Sequence, residues 1–243
     1  MKSELESIVE EGYELFSKYR LSGKLDVCPC CVSLEEQDQL VKTPVAKIGV
    51  ELLGIYNNSA MAEVIDANEL KYFLPRILEL VSLFDFPSHS TEIALSRIGY
   101  ISKQKWTEEE NSFLTKFMKA VFRNCLDLYP LENESLVSII IMFSKTGFDI
   151  RWVTEEWVNM TGLNPLLHFV ETIENEITTS RKGKLKIDNA FADERMEFLA
   201  GWLQNRATIK IFKERIEDFL VNKNYRGEHS AKLDKAYEYF NLM

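Results

Sequence analysis

Glycine and proline are scarce in this chain, 10 and 6 among 243 residues, so it has too few tight turns for an all-β fold. Long apolar runs are missing as well. The longest, Leu136 to Phe143, is interrupted by Ser138 and bounded by Glu134 and Lys145. It falls far short of the roughly 20 residues a membrane-spanning helix needs. There is no G-x-S-x-G, no glycine-rich phosphate loop and no H-E-x-x-H, so no hydrolase, nucleotide-binding or zincin signature is present. The three histidines, His89, His168 and His229, are isolated from one another and from other acid–base residues. The N-terminal residues Met1 to Glu6 are acidic and amphipathic, without a signal core, which predicts a cytoplasmic protein with reduced thiols. Cys28, Cys30, Cys31 and Cys125 are then not a disulfide framework.

What is present is helical periodicity. Leu5, Ile8, Val9, Tyr13, Phe16 and Tyr19 recur at helical spacing, with Glu6, Glu10, Glu11 and Glu14 opposite. Three capping boxes stand at Ser33–Glu36, Asp66–Glu69 and Thr107–Glu110. Behind the second, Leu70, Phe73, Leu74, Ile77, Leu78 and Val81 continue the pattern, and Pro75 inside it predicts a kink or two short helices meeting at Leu74. A helix is expected from Thr91 to Ile98, stopped by Gly99, and a long one from Glu108 to Tyr129. The segment 136–143 suits a buried strand or a buried helix. With no partner strand nearby and Gly147 as a stop, it reads as the central helix. Helices follow over 149–160 and from Asn164-Pro165, then an antiparallel pair, Asp188 to Leu203 and Thr208 to Val221, and a last helix from Ser230. The fold class is therefore all-α: about ten helices in an α-α solenoid-like array or irregular bundle.

Charge is unevenly placed. Residues 181–243 carry 13 Lys+Arg against 10 Asp+Glu, a net of +3, which leaves −12 on residues 1–180 of the total −9. The basic run 181–186 marks the best candidate boundary between an acidic helical body, 1–180, and a C-terminal helical segment, 181–243, packed on it as one continuous domain.

The chemically odd stretch is Cys28-Pro29-Cys30-Cys31-Val32-Ser33. Cys28 and Cys31 stand in C-x-x-C spacing with Cys30 between them, so Cys28, Cys30 and Cys31 are candidate metal ligands. A structural zinc site takes four ligands, usually two such pairs, and the second pair is missing. A redox pair is the other chemical option, although no strand precedes the motif, and Cys31 stands nearest the helix cap at Ser33. The simplest expectation is that the thiols are small apolar groups wedging a tight loop against the core, with no bound cofactor.

Three stretches together, Leu25 to Val32, Thr43-Pro44-Val45 and Phe73-Leu74-Pro75-Arg76-Ile77-Leu78-Glu79-Leu80, resemble a bacterial family. That family carries a C-D-V-C-P-x-C-V-type loop, a T-P-L-type helix start and an F-L-P-R-x-L-E-L run. The Trp202-Leu203 pair before a last long helix is similar too. The resemblance implies the helical fold and brings no settled activity. Leu25 stands where many members of that family have a further cysteine, so a four-thiolate site would lack one ligand here.

Two functions from different classes follow. In the first, the chain is a non-catalytic interaction protein whose acidic surface binds a basic protein partner, conceivably as an immunity-type inhibitor of a toxin. Glu108, Glu109, Glu110, Glu155 and Glu156, in the first turns of helices, would then steer the partner. In the second, it is a metal- or thiol-dependent enzyme or sensor built on the Cys28–Cys31 loop, with zinc as the candidate ion. His89, in the loop after Pro87-Ser88, is the histidine placed where active sites often lie. The four tryptophans fall on apolar faces and read as core.

Overall fold

The structure is a computed structural model and describes residues 2–23, 25–60, 66–179, 183 and 185–242. Among these the fold is all-α, an irregular bundle of twelve helices with one two-stranded ladder. The chain divides into two compact units, one of residues 1–121 and 142–148, the other of 122–141 and 149–243. The expected boundary at 181–186 thus falls inside the second unit. Arg181, Lys182 and Lys184 of the basic run lie outside the described residues.

In the first unit, α1 (Glu4–Phe16) packs on α4 (Ala67–Ser82). The burial of Ile8, Gly12 and Phe16 follows from their spacing along α1. Helix α4 is one helix through Pro75, so of the two expected outcomes the pair of short helices meeting at Leu74 does not form. Proline removes one intrahelical bond at a cost of about 3 kcal/mol or more. Against that, Leu70, Phe73, Leu74, Ile77, Leu78, Leu80 and Val81 are each at most 2% exposed, and burying one such side chain contributes about 1.5–3 kcal/mol. Two further helices are α2 (Leu34–Lys42), opened by a complete Ser33/Glu36 capping box, and α3 (Val50–Asn58). The expected helix over 91–98 is instead a single 3-10 turn at Thr91–Ile93 followed by α5 (Ser96–Tyr100). Gly99 does not end a helix at 98. It lies within α5, where an added Cβ would sit 2.2 Å from the Lys145 carbonyl oxygen, so only glycine permits this approach.

Helix α6 (Glu108–Asp127) opens on the Thr107 capping box: the Glu110 N–H donates to Thr107 Oγ1 at 3.2 Å, and the Thr107 N–H donates to Glu110 Oε2 at 3.0 Å. Segment 136–143 belongs to α7 (Leu136–Lys145), a helix, and every residue from Leu136 to Phe143 is buried.

The second unit contains α8 (Trp152–Asn159), α9 (Leu163–Asn175), the strands β1 (Ile177–Thr179) and β2 (Leu185–Ile187), α10 (Glu197–Leu203), α11 (Arg206–Glu217) and α12 (Ser230–Phe240). The strands pair antiparallel, Ile177 opposite Ile187. The helix expected over 188–203 is therefore shorter. A loop and a single turn intervene between β2 and α10, because Asp193 accepts the N–H of Arg195 and starts its own turn. The core of this unit is aromatic. Phe169 stacks on Phe212 with ring centroids 3.6 Å apart, and Trp157 and Trp202 meet Phe169 edge-on. The Trp157 indole donates to the Pro165 carbonyl at 2.9 Å, so its polar atom is satisfied inside.

Glu110 corrects one functional expectation. Its side chain is fully buried, ion-paired with the equally buried Lys71 at 2.7 Å and bonded to the Tyr19 hydroxyl. Lys71 Nζ also lies 4.7 Å from the Trp106 ring centroid. Glu110 therefore has no surface to offer a partner. Burial pushes its carboxyl pKa up, but Lys71, Tyr19 and the Thr107 N–H outweigh that and hold it below the ordinary carboxylate range. A depressed carboxyl contributes stability that is present above the unfolded value and lost as pH falls through the folded value. Lys71→Ala, which leaves the buried Glu110 carboxylate with only the more distant Lys18, at 3.6 Å, as a cation, is expected to cost about 3 kcal/mol at neutral pH. Chemical denaturation from pH 7 down through the carboxylate range should show this loss shrinking as Glu110 protonates.

Candidate metal centre

The C-terminus of α3 is the scaffold of the candidate site. A helix end leaves carbonyls without intrahelical partners. Here the buried Arg97 takes them: Nη2 donates to the Tyr56 carbonyl at 2.6 Å, Nε to Asn57 at 3.1 Å, and Nη2 again to the Ser59 carbonyl at 3.1 Å and its Oγ at 2.8 Å. The guanidinium lies 4.4 Å from the Tyr56 ring centroid. Asn57, Asn58 and Ser59 thereby become attachment points.

Two loops hang from them. Asn57 Nδ2 donates to the carbonyls of Pro87 and Ala94, at 3.0 and 2.9 Å. Asn58 Oδ1 accepts from Ser88 Oγ at 3.0 Å and from the His89 N–H at 3.3 Å. The cysteine loop is tied to the same place, since the Cys28 N–H donates to the Ala60 carbonyl at 3.1 Å. A second tie comes from α4: Glu69 does not complete its capping box but reaches away, and its Oε2 accepts the Asp26 N–H at 2.8 Å. The Glu69 carboxyl pKa is raised because the group is buried.

The cysteine loop is a tight turn in which the Cys28 carbonyl accepts the N–H groups of Cys31 and Val32, at 2.9 and 3.0 Å. The side chains that anchor it in the core are Leu25 and Val32, 3% and 0% exposed. Cys30 and Cys31 are exposed and Cys28 is half-buried. This corrects the expectation that these sulfurs fill space. Cys125 does behave that way: it is buried, and burial pushes its thiol pKa up to about 12. The three loop sulfurs lie within 4.8 Å of one another, with Cys30 and Cys31 Sγ 3.8 Å apart. Hydrogen bonds from the Cys30 thiol and backbone hold the Cys28 pKa below the ordinary thiol value, while Cys30 is pushed up to about 11 by Cys28 and Cys31 beside it.

Beside the loop is an open pocket of about 590 Å³. Its polar wall is made by Cys31, Glu51, Asn58, Ser59, Ser88 and His89. Cys31 and His89, 58 positions apart in sequence, thus face one space. His168 is elsewhere and has a different task. It is buried, with Nε2 at 3.1 Å from the Cys125 carbonyl and 2.6 Å from that of Leu128, where it satisfies the end of α6. Its pKa is lowered because it is buried. His229 lies edge-on to the Tyr129 ring, with centroids 5.4 Å apart. Among the proposed partner-binding carboxylates, Glu108, Glu109 and Glu155 are exposed, and Glu156 pairs with Arg123 at 3.3 Å. No helix among the described residues is long and apolar enough to cross a membrane.

Compared with protein-family models, with curated proteins and with solved structures, the chain matches none.

The exposures set an order of thiol reactivity. With an aromatic disulfide reagent, the native chain is expected to release chromophore from three cysteines and to yield the fourth, Cys125, only on unfolding. A native count of one or none would contradict the placement of this loop.

Proposed function

We propose that this chain is a thiolate metal-binding protein, whose loop Cys28-Pro29-Cys30-Cys31 takes up a thiophilic cation, zinc being the candidate. One observation carries the reading: three sulfurs lie within 4.8 Å of one another on a loop that is anchored by other residues, leaving the sulfurs outward. Thiolates select soft or borderline ions such as Zn²⁺ and Cu⁺ over Mg²⁺ or Ca²⁺. Loop anchoring by Leu25 and Val32 and by the Ala60 and Glu69 hydrogen bonds reduces the ordering that metal capture would otherwise require. The acidic balance of residues 1–180 favours a cation over an anion as ligand.

The basic-partner reading has less support. It rests on net charge and on five carboxylates, of which Glu110 is buried and Glu156 is held by Arg123. Glu108, Glu109 and Glu155 are left as its surface.

The reduced chain is expected to bind one zinc per molecule, with protons released as thiols become thiolates. Cadmium in its place should show sulfur-to-metal charge-transfer absorption whose intensity falls with each Cys→Ser change at 28, 30 and 31. Cys125→Ser should leave it unchanged. A reduced chain that fails to take zinc from a micromolar chelating indicator would overturn this function.

A further inference from the structure

We infer that His89 is the fourth ligand of the thiolate site, closing across the pocket to complete a Cys3His centre; this rests on the metal reading of the cysteine loop. Zinc in closed sites is tetrahedral, and three sulfurs leave one position to fill. The sequence has no second cysteine pair, and Leu25 is 3% exposed in the core, so the missing ligand has to come from another part of the fold.

Few groups qualify. Cys125, His168 and His229 belong to the second compact unit, and the first two are buried there. In the first unit His89 is the one histidine, and it lines the same pocket as Cys31. Its imidazole is exposed and has no hydrogen bond, ion pair or ring partner among the described residues, while its backbone N–H is fixed to Asn58. The backbone is thus positioned and the ring is free to turn.

The two loops also share a support. Cys28 is bonded to Ala60, and the histidine loop to Asn57 and Asn58, so three residues within one short stretch at the end of α3 carry both sides. His89 stands outside the 4.8 Å set of sulfurs. Zinc with Zn–S near ~2.3 Å and Zn–N near ~2.0–2.1 Å would draw the ring inward and narrow the mouth of the pocket. Glu51, on the same wall, is the competing donor. A neutral imidazole suits this place better, because a carboxylate would add a fourth negative charge to three thiolates.

The test uses the full reduced chain with Co²⁺ and Zn²⁺. His89→Ala should weaken zinc binding at least 10–100-fold, the range that even outer partners of a metal ligand command. It should also shift the Co²⁺ ligand-field spectrum, and His89→Cys should restore tight binding with a four-thiolate spectrum. Glu51→Ala should change neither. The metal-free variants should melt with the parent chain, since the His89 side chain is exposed. Parent and His89→Ala with equal affinity and identical cobalt spectra would overturn the histidine assignment while leaving the thiolate site standing. So would a loss on Glu51→Ala equal to that expected of His89→Ala. A parent chain that binds neither metal would remove both readings.

Discussion

The arrangement around the site depends on one buried cation, Arg97, at the carboxyl end of α3. A helix terminus concentrates partial negative charge on its last carbonyls, and a guanidinium there meets both their hydrogen-bonding need and their dipole. Arg97 is 2% exposed, so its desolvation has to be offset by several bonds at once, and its contacts to Tyr56, Asn57 and Ser59 provide them. The planar fork of arginine suits this role, whereas a lysine would offer a point charge to carbonyls spread over four residues. Beside it, Arg97 Nη1 and Asn57 Oδ1 are buried with no hydrogen-bond partner among the described residues. Such groups are costly in a stable core, and here they collect behind the support of the two loops.

That support explains why the Cys31 thiol and the His89 imidazole, distant in sequence, line one pocket. Metal sites are precise when the ligand-bearing segments rest on regular elements, and α3 is such an element. The loops need little secondary structure of their own, because Asn57, Asn58, Ala60 and Glu69 hold their backbones. Glu69 connects the site to the core of the first unit through α4. Its burial raises its pKa, so the bond to the Asp26 N–H is made by a carboxyl that resists ionisation.

The second unit follows another logic. Its core is aromatic, with Phe169 stacked on Phe212 and bordered by Trp157 and Trp202. His168 there answers the same need as Arg97, the unpaired carbonyls at a helix end. One difference is that its imidazole stays neutral, because burial lowers its pKa and no counter-charge outweighs that. This carbonyl pairing makes His168 a structural residue.

Local chemistry made much of the fold legible. Periodicity placed α1, α4 and α6, and the Ser33 and Thr107 boxes were read correctly because a cap involves residues within one turn. Pro75 left two outcomes open, since a proline's local cost is visible in sequence and the burial that offsets it is not. Glu110 misled for the same reason: an acidic first turn looks solvated until Lys71, 39 residues away, is found against it. For the cysteines, sequence showed the spacing and could not show which way the sulfurs point. That depends on Leu25 and Val32 entering the core, where they meet segments from elsewhere along the chain. By itself, then, the sequence determined where helices begin and which faces are apolar, because those are set within a few residues. Only the tertiary structure decided which charges are buried and which thiols are outward, because burial is a property of what packs from elsewhere.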